Sequence, residues 1–550
     1  MSRLPTTVTV GGRTVAVRPT LIDRLVNWRD PIKGAARYQA RLRMAMVGGY
    51  NAADRNRPVN QRGWRSERDA ASIVAADAAT LRAESQDMVR NSPVGGGAIK
   101  LNVTKVVGRG LVPKAQIDRD LLGLDDEAAD AWERNAEREY HLATGTREID
   151  AERCLPFALL QGLAFQKVLE DGDVLVNLPR FARPGSPYRL KVELIEAARV
   201  CNPKGQADTA TLVQGVRVDA HGGPATYYVA SRHPGSLRRG ALAEPITWQE
   251  LRAFDSGGHP LALLLMDKQR PGQPRGVAYL APVIELIKQL GRYTDAEVMA
   301  AVINGMLTAV VYNDTGVPDL GEEEDDTLSE GEQRTSTSGD MSRMTLGNGS
   351  IIGLPAGAGN RIEVIDGKRP NINFDPFVLA MLRQIGMALE IPFELLVRHF
   401  TSSYSASRAA LEEAWDYFQR RRAWLASQLC QPIYEAILTE AIASGRLTAP
   451  GFFADARLRH AWLGTLWQGD APSTLDPVKE IEAARARIDL RLTTRAEERA
   501  RLVGGDWEAS LPQMRREQEL LEQHHLTPAP AAVPAPAEQP SQEQEDDAAA

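Results

Sequence analysis

"HFTSSYSASRAALEEAWDYFQRRRAWLASQ", residues 399–428, is the stretch on which the fold turns. A hydroxyl-rich run, Thr401, Ser402, Ser403, Tyr404 and Ser405, passes directly into a segment free of Gly and Pro. Leu411, Trp415, Phe418, Leu425 and Leu429 recur at steps of three, four or seven, the spacing of one apolar helical stripe. Arg422 falls on that stripe, and Pro432 is expected to interrupt it a turn later. Ser405 or Ser407 is the expected N-cap. Trp415 and Trp424 read as core residues, and Asp416 is placed to pair with Arg420 one turn on. "QRRR", Gln419 to Arg422, would meet phosphate, an acidic neighbour or water.

The flanks repeat the helical theme. In "FDPFVLAMLRQIGMALEIPFELL" Asp375 reads as a cap with Pro376 at the first helical position. Phe377, Met381, Ile385 and Leu389 form its stripe, and Ile391-Pro392 ends it. Upstream, Ile284, Ile287, Tyr293, Val298 and Val302 predict a helix from Ala281 to about Leu307, with Gly291 and Gly305 each costing about 1 kcal/mol. Between the two helices lies "GEEEDDTLSEGEQRTSTSGD" (Gly321 to Asp340), too poor in apolar residues to order itself. A Gly-rich, strand-like passage follows it to about Ile365.

Earlier in the chain strands dominate. "VLVN" (Val174 to Asn177) is a short apolar run. "YRLKVEL" alternates Tyr188, Leu190, Val192 and Leu194 against Arg189, Lys191 and Glu193, the period of a half-buried strand. "GVRVDAHGGPATYYV" predicts two strands around Gly222-Gly223. Roughly 155–270 is therefore an α+β region rich in antiparallel sheet. Residues 70–90 predict a helix that "NSPVGGG" stops, since Pro93 and Gly95 to Gly97 break helices. Residues 1–60 read as an irregular, Arg-rich arm, 446–525 as mainly helical, and the Pro/Ala/Gln-rich last 25 residues as disordered.

The totals narrow the chemistry. The chain has 550 residues, 43% of them apolar, and a net charge of −7, so several structural regions are expected. Cys154, Cys201 and Cys430 are odd in number and widely spaced, which fits neither a zinc site nor a disulfide framework. The N-terminus lacks a signal-peptide h-region, and no apolar run approaches the ~18 residues that span a bilayer. "SPVGGGAIK" lacks the spacing and hydroxyl of a phosphate loop. His399 with Ser402, Ser403 and Ser405 has no orienting acid and no nucleophile elbow. His524, His525 and Glu522 show no metal-ligand spacing, and Glu322 to Asp326 lack the alternation of a calcium loop. The reading is a non-enzyme without metal or cofactor, in a structural or assembly role, with a nucleic-acid enzyme as the competing reading.

Five stretches in order resemble the lambda family of phage portal proteins. They are "SQDMVRNSPVGGGAIKLNVTKVVGRGLVP" (Ser85 to Pro113), with its Arg-Asn-x-Pro and Val-Val-Gly-x-Gly; "ARVCNP" with "GVRVDAHGGPATYYV"; "RPGQPRGVAYLAPVIE" (Arg270 to Glu285); "SSYSASRAALEEAWDYFQRRR"; and "DPVKEIEAARARIDLRLTTRAEERARLVGGDWE". The resemblance spans about residues 35–520. It implies a ring, typically a dodecamer in this family, at one capsid vertex, the channel for packaging and ejection of double-stranded DNA; another virion component, of tail or baseplate, is a competing reading. Implied partners are the terminase large subunit, the major capsid or scaffold protein and a head-tail adaptor, with no membrane; the protein would be made in the bacterial cytoplasm and reside in the virion.

The same resemblance implies a portal-type α+β subunit. Its parts would be an N-terminal arm (1–60), an α/β wing (61–280), a stem helix (281–312), a clip (313–370), a second stem helix (371–396), a channel loop (397–404), a long spine helix (405–445), a helical crown (446–525) and a tail (526–550). Arg398, His399, Thr401, Ser402, Ser403, Tyr404 and Ser405 become candidates for DNA contact. Glu322, Glu323, Glu324, Asp325 and Asp326 become candidates for partner docking on the clip. Leu411, Trp415, Phe418 and Leu425 would pack the spine helix. An acidic protein with a lumen of hydroxyls and one imidazole fits a moving duplex, because each neutralised phosphate strengthens binding.

Overall fold

The computed structural model describes residues 6–10, 13–17, 28–31, 33, 69–236, 245–313, 350–355, 361–363, 371, 373–399, 404–472, 477–505, 507–524 and 526. The chain divides into two compact units, 1–69 and 70–550. In the first, β1 (Thr6–Val10) and β2 (Arg13–Val17) pair antiparallel, from Thr6 against Val17 to Val10 against Arg13. This corrects the expected irregular arm: Thr and Val alternating on both sides of Gly11-Gly12 is a hairpin signal.

The second unit opens with α1 (Ala70–Asn91) and α2 (Pro93–Val106). The break at Ser92 was foreseen, but the glycines belong to the new helix. Ser92 caps it, its hydroxyl accepting from Gly95 N, and Pro93 takes the first position. A Cβ on Gly96 would stand 2.7 Å from the Val89 carbonyl oxygen. The glycines therefore permit close packing of α2 on the end of α1.

After β3 (Val112–Ala115) come α3 (Arg119–Leu122), α4 (Asp126–Thr144) and α5 (Phe157–Asp171). The middle of the chain is strand-rich: β4 (Asp173–Asn177), β5 (Glu193–Glu196), β6 (Leu212–Val213), β7 (Val216–Val218), β8 (Pro224–Ala230), β9 (Trp248–Arg252) and β10 (Ala262–Met266). They form two antiparallel sheets, ordered β10-β4-β5 and β6-β7-β8-β9. The turn at Gly222, φ +81°, joins β7 to β8 as its sequence predicts. "YRLKVEL" departs from expectation, since only Glu193 and Leu194 enter a strand. Tyr188, Leu190 and Val192 are buried, and so is Lys191. Its ammonium is bonded inside, to the Tyr188 carbonyl at 2.6 Å and Ser186 Oγ at 3.0 Å, which offsets the cost of burying charge.

Next are α6 (Ile284–Met306), then β11 (Leu307–Asn313), β12 (Ser350–Pro355) and β13 (Arg361–Glu363), a sheet with β11 central, parallel to β12 and antiparallel to β13. β11 extends the chain where only the end of a helix was expected. α7 (Phe374–Ala388) follows. Asp375 lies inside its first turn; Asn373 holds the cap position. α7 runs antiparallel to α6, with Asn371 bonded to Glu297 and Phe377 edge-on to Tyr293 at 4.7 Å. Met381, Ile385 and Leu389 are buried, but Phe377, Val298 and Val302 are exposed, so each expected stripe is covered over only part of its length.

A short α8 (Phe393–Val397) leads to α9 (Tyr404–Leu425). Helical backbone begins at Tyr404, so neither Ser405 nor Ser407 is a cap, and Ser407 is buried in the helix. Pro432 does not interrupt. A π-turn (Ala426–Cys430) widens the helix, and Pro432 enters the first turn of α10 (Gln431–Ala443), where no N–H is required of it.

The chain then forms α11 (Ala456–Trp462), β14 (Thr465–Gln468), α12 (Pro477–Asp489), α13 (Arg495–Leu502) and α14 (Trp507–Gln523). β14 pairs with β3, a strand that the helical reading of this region missed. Buried side chains of α2, α4, α5, α6, α7, α9 and α10 make one continuous core. The interior between the two middle sheets is separate: Leu175, Ile195, Val216, Tyr227 and Val229.

Candidate functional site

The expected channel segment lies between α8 and α9. Arg398 caps α8 in the left-handed region, φ +56°, its N–H donating to the Glu394 carbonyl; Arg398 and His399 are both exposed. Tyr404 and Ser405 fall in the first turn of α9. Thr401, Ser402 and Ser403 lie outside the described residues, as do Glu322, Glu323, Glu324, Asp325 and Asp326 and residues 527–550 of the tail. Of the packing candidates, Phe418 and Leu425 are buried, while Leu411 and Trp415 are half-buried, Trp415 packing against the core.

What the sequence missed is the work of the arginines on α9. Arg420 pairs with Glu390 across to the end of α7, at 2.7 Å, rather than with Asp416. Arg421 lies over the rings of Tyr279 and Tyr417, 5.0 Å from each centroid, and 3.6 Å from Asp267. Arg422 donates to the carbonyls of Val106 and Lys105 at 3.0 and 3.1 Å and stacks on Trp415. It thus satisfies the orphan carbonyls at the end of α2. Burial lowers its basicity, opposed by Asp470. The apparent flaw in the stripe is a helix cap reached from another helix.

Tyr279 completes this joint. Its hydroxyl donates to the Leu389 carbonyl at the end of α7, while the Tyr417 hydroxyl lies 3.2 Å away. Burial first, then the neighbouring Tyr417, raises the Tyr279 phenol far above its ordinary range, so it acts as a neutral hydrogen-bonding group.

The two glycine-bearing motifs are joints as well. In "VVGRG", Gly108 and Gly110 have φ +57° and +110°. A Cβ on Gly108 would stand 2.0 Å from Asp470, whose carboxylate accepts from Arg109 N at 3.0 Å and Nε at 2.8 Å. In "RPGQPRG", Arg275 is buried with every N–H used. Nε and Nη2 meet Asp173 at 2.7 and 2.8 Å; the Val200, Gln214 and Ala197 carbonyls accept at 2.7, 2.7 and 2.8 Å. Gly276 follows because a Cβ there would lie 1.9 Å from the Gly172 carbonyl oxygen.

These side chains brace, cap and pair; none forms a nucleophile–base–acid set. Among the described residues no three His, Cys, Asp or Glu come together as metal ligands, and no helix is long and apolar enough to cross a membrane. The open cavity of ≈ 780 Å³ between α7, α8 and α9 is bordered by Met387, Phe393, Tyr417, Glu413 and Arg420, again without a catalytic pair.

The arrangement defines a protein of joints and surfaces. The chain belongs to the lambda family of phage portal proteins, whose profile matches residues 57–422. It is 25% identical to the portal protein of Escherichia phage N15 over 517 residues, covering 89% of this chain and 94% of that one. It is 24% identical to portal protein B of Escherichia phage lambda over 454 residues, covering 79% and 82%. Among solved structures, a chain from the virion of a native gene transfer agent particle aligns at TM-score 0.38 and 13% identity, covering 77% of this chain and 92% of that chain. A chain from the neck of that particle aligns at 0.38 and 14%, covering 78% and 97%.

Proposed function

We propose that this portal protein is the repeating subunit of a closed ring at one vertex of a phage capsid, the passage for double-stranded DNA during packaging and ejection. The observation that carries the reading is the family match over 57–422, supported by relatives named portal protein that align over most of their length. The role is that of a virion component that positions DNA and partners and catalyses nothing. Terminase and head-tail proteins dock on it, and the capsid or its scaffold surrounds it.

Within the subunit, 61–280 is wing, α6 and α7 are the stem, the β11–β13 region is clip, α9 to α10 the spine and 446–525 the crown. Apolar side chains exposed on the stem helices, Val298, Met299, Val302, Phe377 and Met387, fit a subunit that completes its packing against copies of itself. Arg398 and His399, both exposed at the end of α8, are the described residues to which we assign contact with the DNA. Electron microscopy of the purified protein tests this: closed rings with a hole wide enough for a duplex are expected, and a stable monomer under capsid-like salt overturns it.

A further inference from the structure

The turn that joins β9 to β10 carries an imidazole held from two sides. Asp255 Oδ1 accepts from the N–H groups of Gly257 and His259, both at 2.8 Å. The same carboxylate lies 3.1 and 3.2 Å from His259 Nδ1. On the far side of the ring, Nε2 meets Nη1 of Arg459, which projects from α11 and also lies over Phe452 at 5.5 Å. The contact spans 200 residues of sequence and ties the corner between the two middle sheets to the C-terminal helices.

A guanidinium has donors only. Nε2 must therefore offer its lone pair to Arg459, which leaves the hydrogen on Nδ1, facing Asp255. The contact requires a neutral ring. A second proton would set N–H against N–H and cation against cation, while the Asp255 contact would survive. Asp255 does not let go first: the His259 N–H, and then the His259 ring and Gly257 N–H, hold its carboxyl below the usual range. Asp255, from the same turn, and Arg459, from the facing helix, are the charged groups set against the ring.

We propose that Asp255, His259 and Arg459 form an acid-released clasp: closed while the imidazole is neutral, and open on the Arg459 side once it is protonated. The inference stands apart from the portal reading and needs no ring. Hydrogen–deuterium exchange on the full chain at pH 7.5 and 5.5, corrected for intrinsic chemistry, tests it.

Peptides covering 253–262 and 452–460 should exchange about threefold or more faster at pH 5.5 in the unaltered protein. In His259→Gln, whose amide oxygen accepts from Arg459 at either pH, the two values should agree. In Arg459→Ala, exchange should be fast at both. Equal protection of the unaltered protein at the two pH values overturns the clasp. An acid response that survives in His259→Gln or in Arg459→Ala overturns it too.

Discussion

Arg275 and Asp173 are both almost wholly buried, and each exists in that state only because the other does. Removing the cation leaves a carboxylate in a dry corner, which typically costs about 3–5 kcal/mol. Arg275→Met should lower the denaturation midpoint of the isolated protein accordingly, and Arg275→Lys should recover only part, because an ammonium cannot reach the Asp173 carboxylate and three carbonyls at once. Asp171, on the end of α5, behaves oppositely. Burial, outweighing Lys167 and Gln86, raises its carboxyl above the ordinary value. A raised value in the folded state means that its favourable contribution is present at pH below the ordinary carboxyl range and is lost as pH rises through the raised value. Asp171→Asn keeps an acceptor for Gln86 and should flatten that part of the stability–pH curve, with equal or higher stability at pH 7. Thermal melts across pH 4–7 check both the sign and the window.

At the scale of elements, the π-turn between α9 and α10 sets which side of α10 faces inward. Ile433, Tyr434, Ile437, Leu438 and Ala441 are all fully buried. Deleting Ser427 would restore the α-helical register but turn α10 by about 100°, taking that face out of the core. The variant should lose its cooperative melt, whereas Pro432→Ala should shift stability by less than about 1 kcal/mol, since the helix there needs no N–H. The opening stretch shows what a sequence can disclose. Period alone identified α9 and its buried Phe418 and Leu425, because helix spacing is local. It could not disclose that Arg422 caps α2 or that Arg420 answers Glu390, since those partners lie 316 and 30 residues away. For the same reason Gly95 to Gly97 looked like a helix stop: their permissiveness was visible, but the helix they pack against was not. β3 and β14 are strands chiefly by virtue of each other, so neither reads as one alone.

For the whole molecule, side chains exposed on one copy report on what is absent from it. Met387 is 79% exposed and Val298 58%. Met387→Glu and Val298→Asp should leave the melting temperature of the subunit within a few degrees, since neither is packed, yet reduce ring formation. Light scattering after size-exclusion chromatography distinguishes a smaller particle from an unfolded one, and rings that form unaltered would remove these helices from the interface. The portal role itself was legible in the order of the five motifs. Arg398 to Ser405 became candidates for DNA contact through the family resemblance alone, because hydroxyls before a helix carry no spacing that separates a contact from a cap.

The pairing of β14 with β3 joins residues 465–468 to 112–115, and so β3 completes its ladder late in synthesis. While the ribosome is still translating, the edge of β3 has nothing to pair with until Gln468 has left the exit tunnel. A message cut short before codon 465 should therefore yield an open-edged, aggregating product rather than a smaller working subunit.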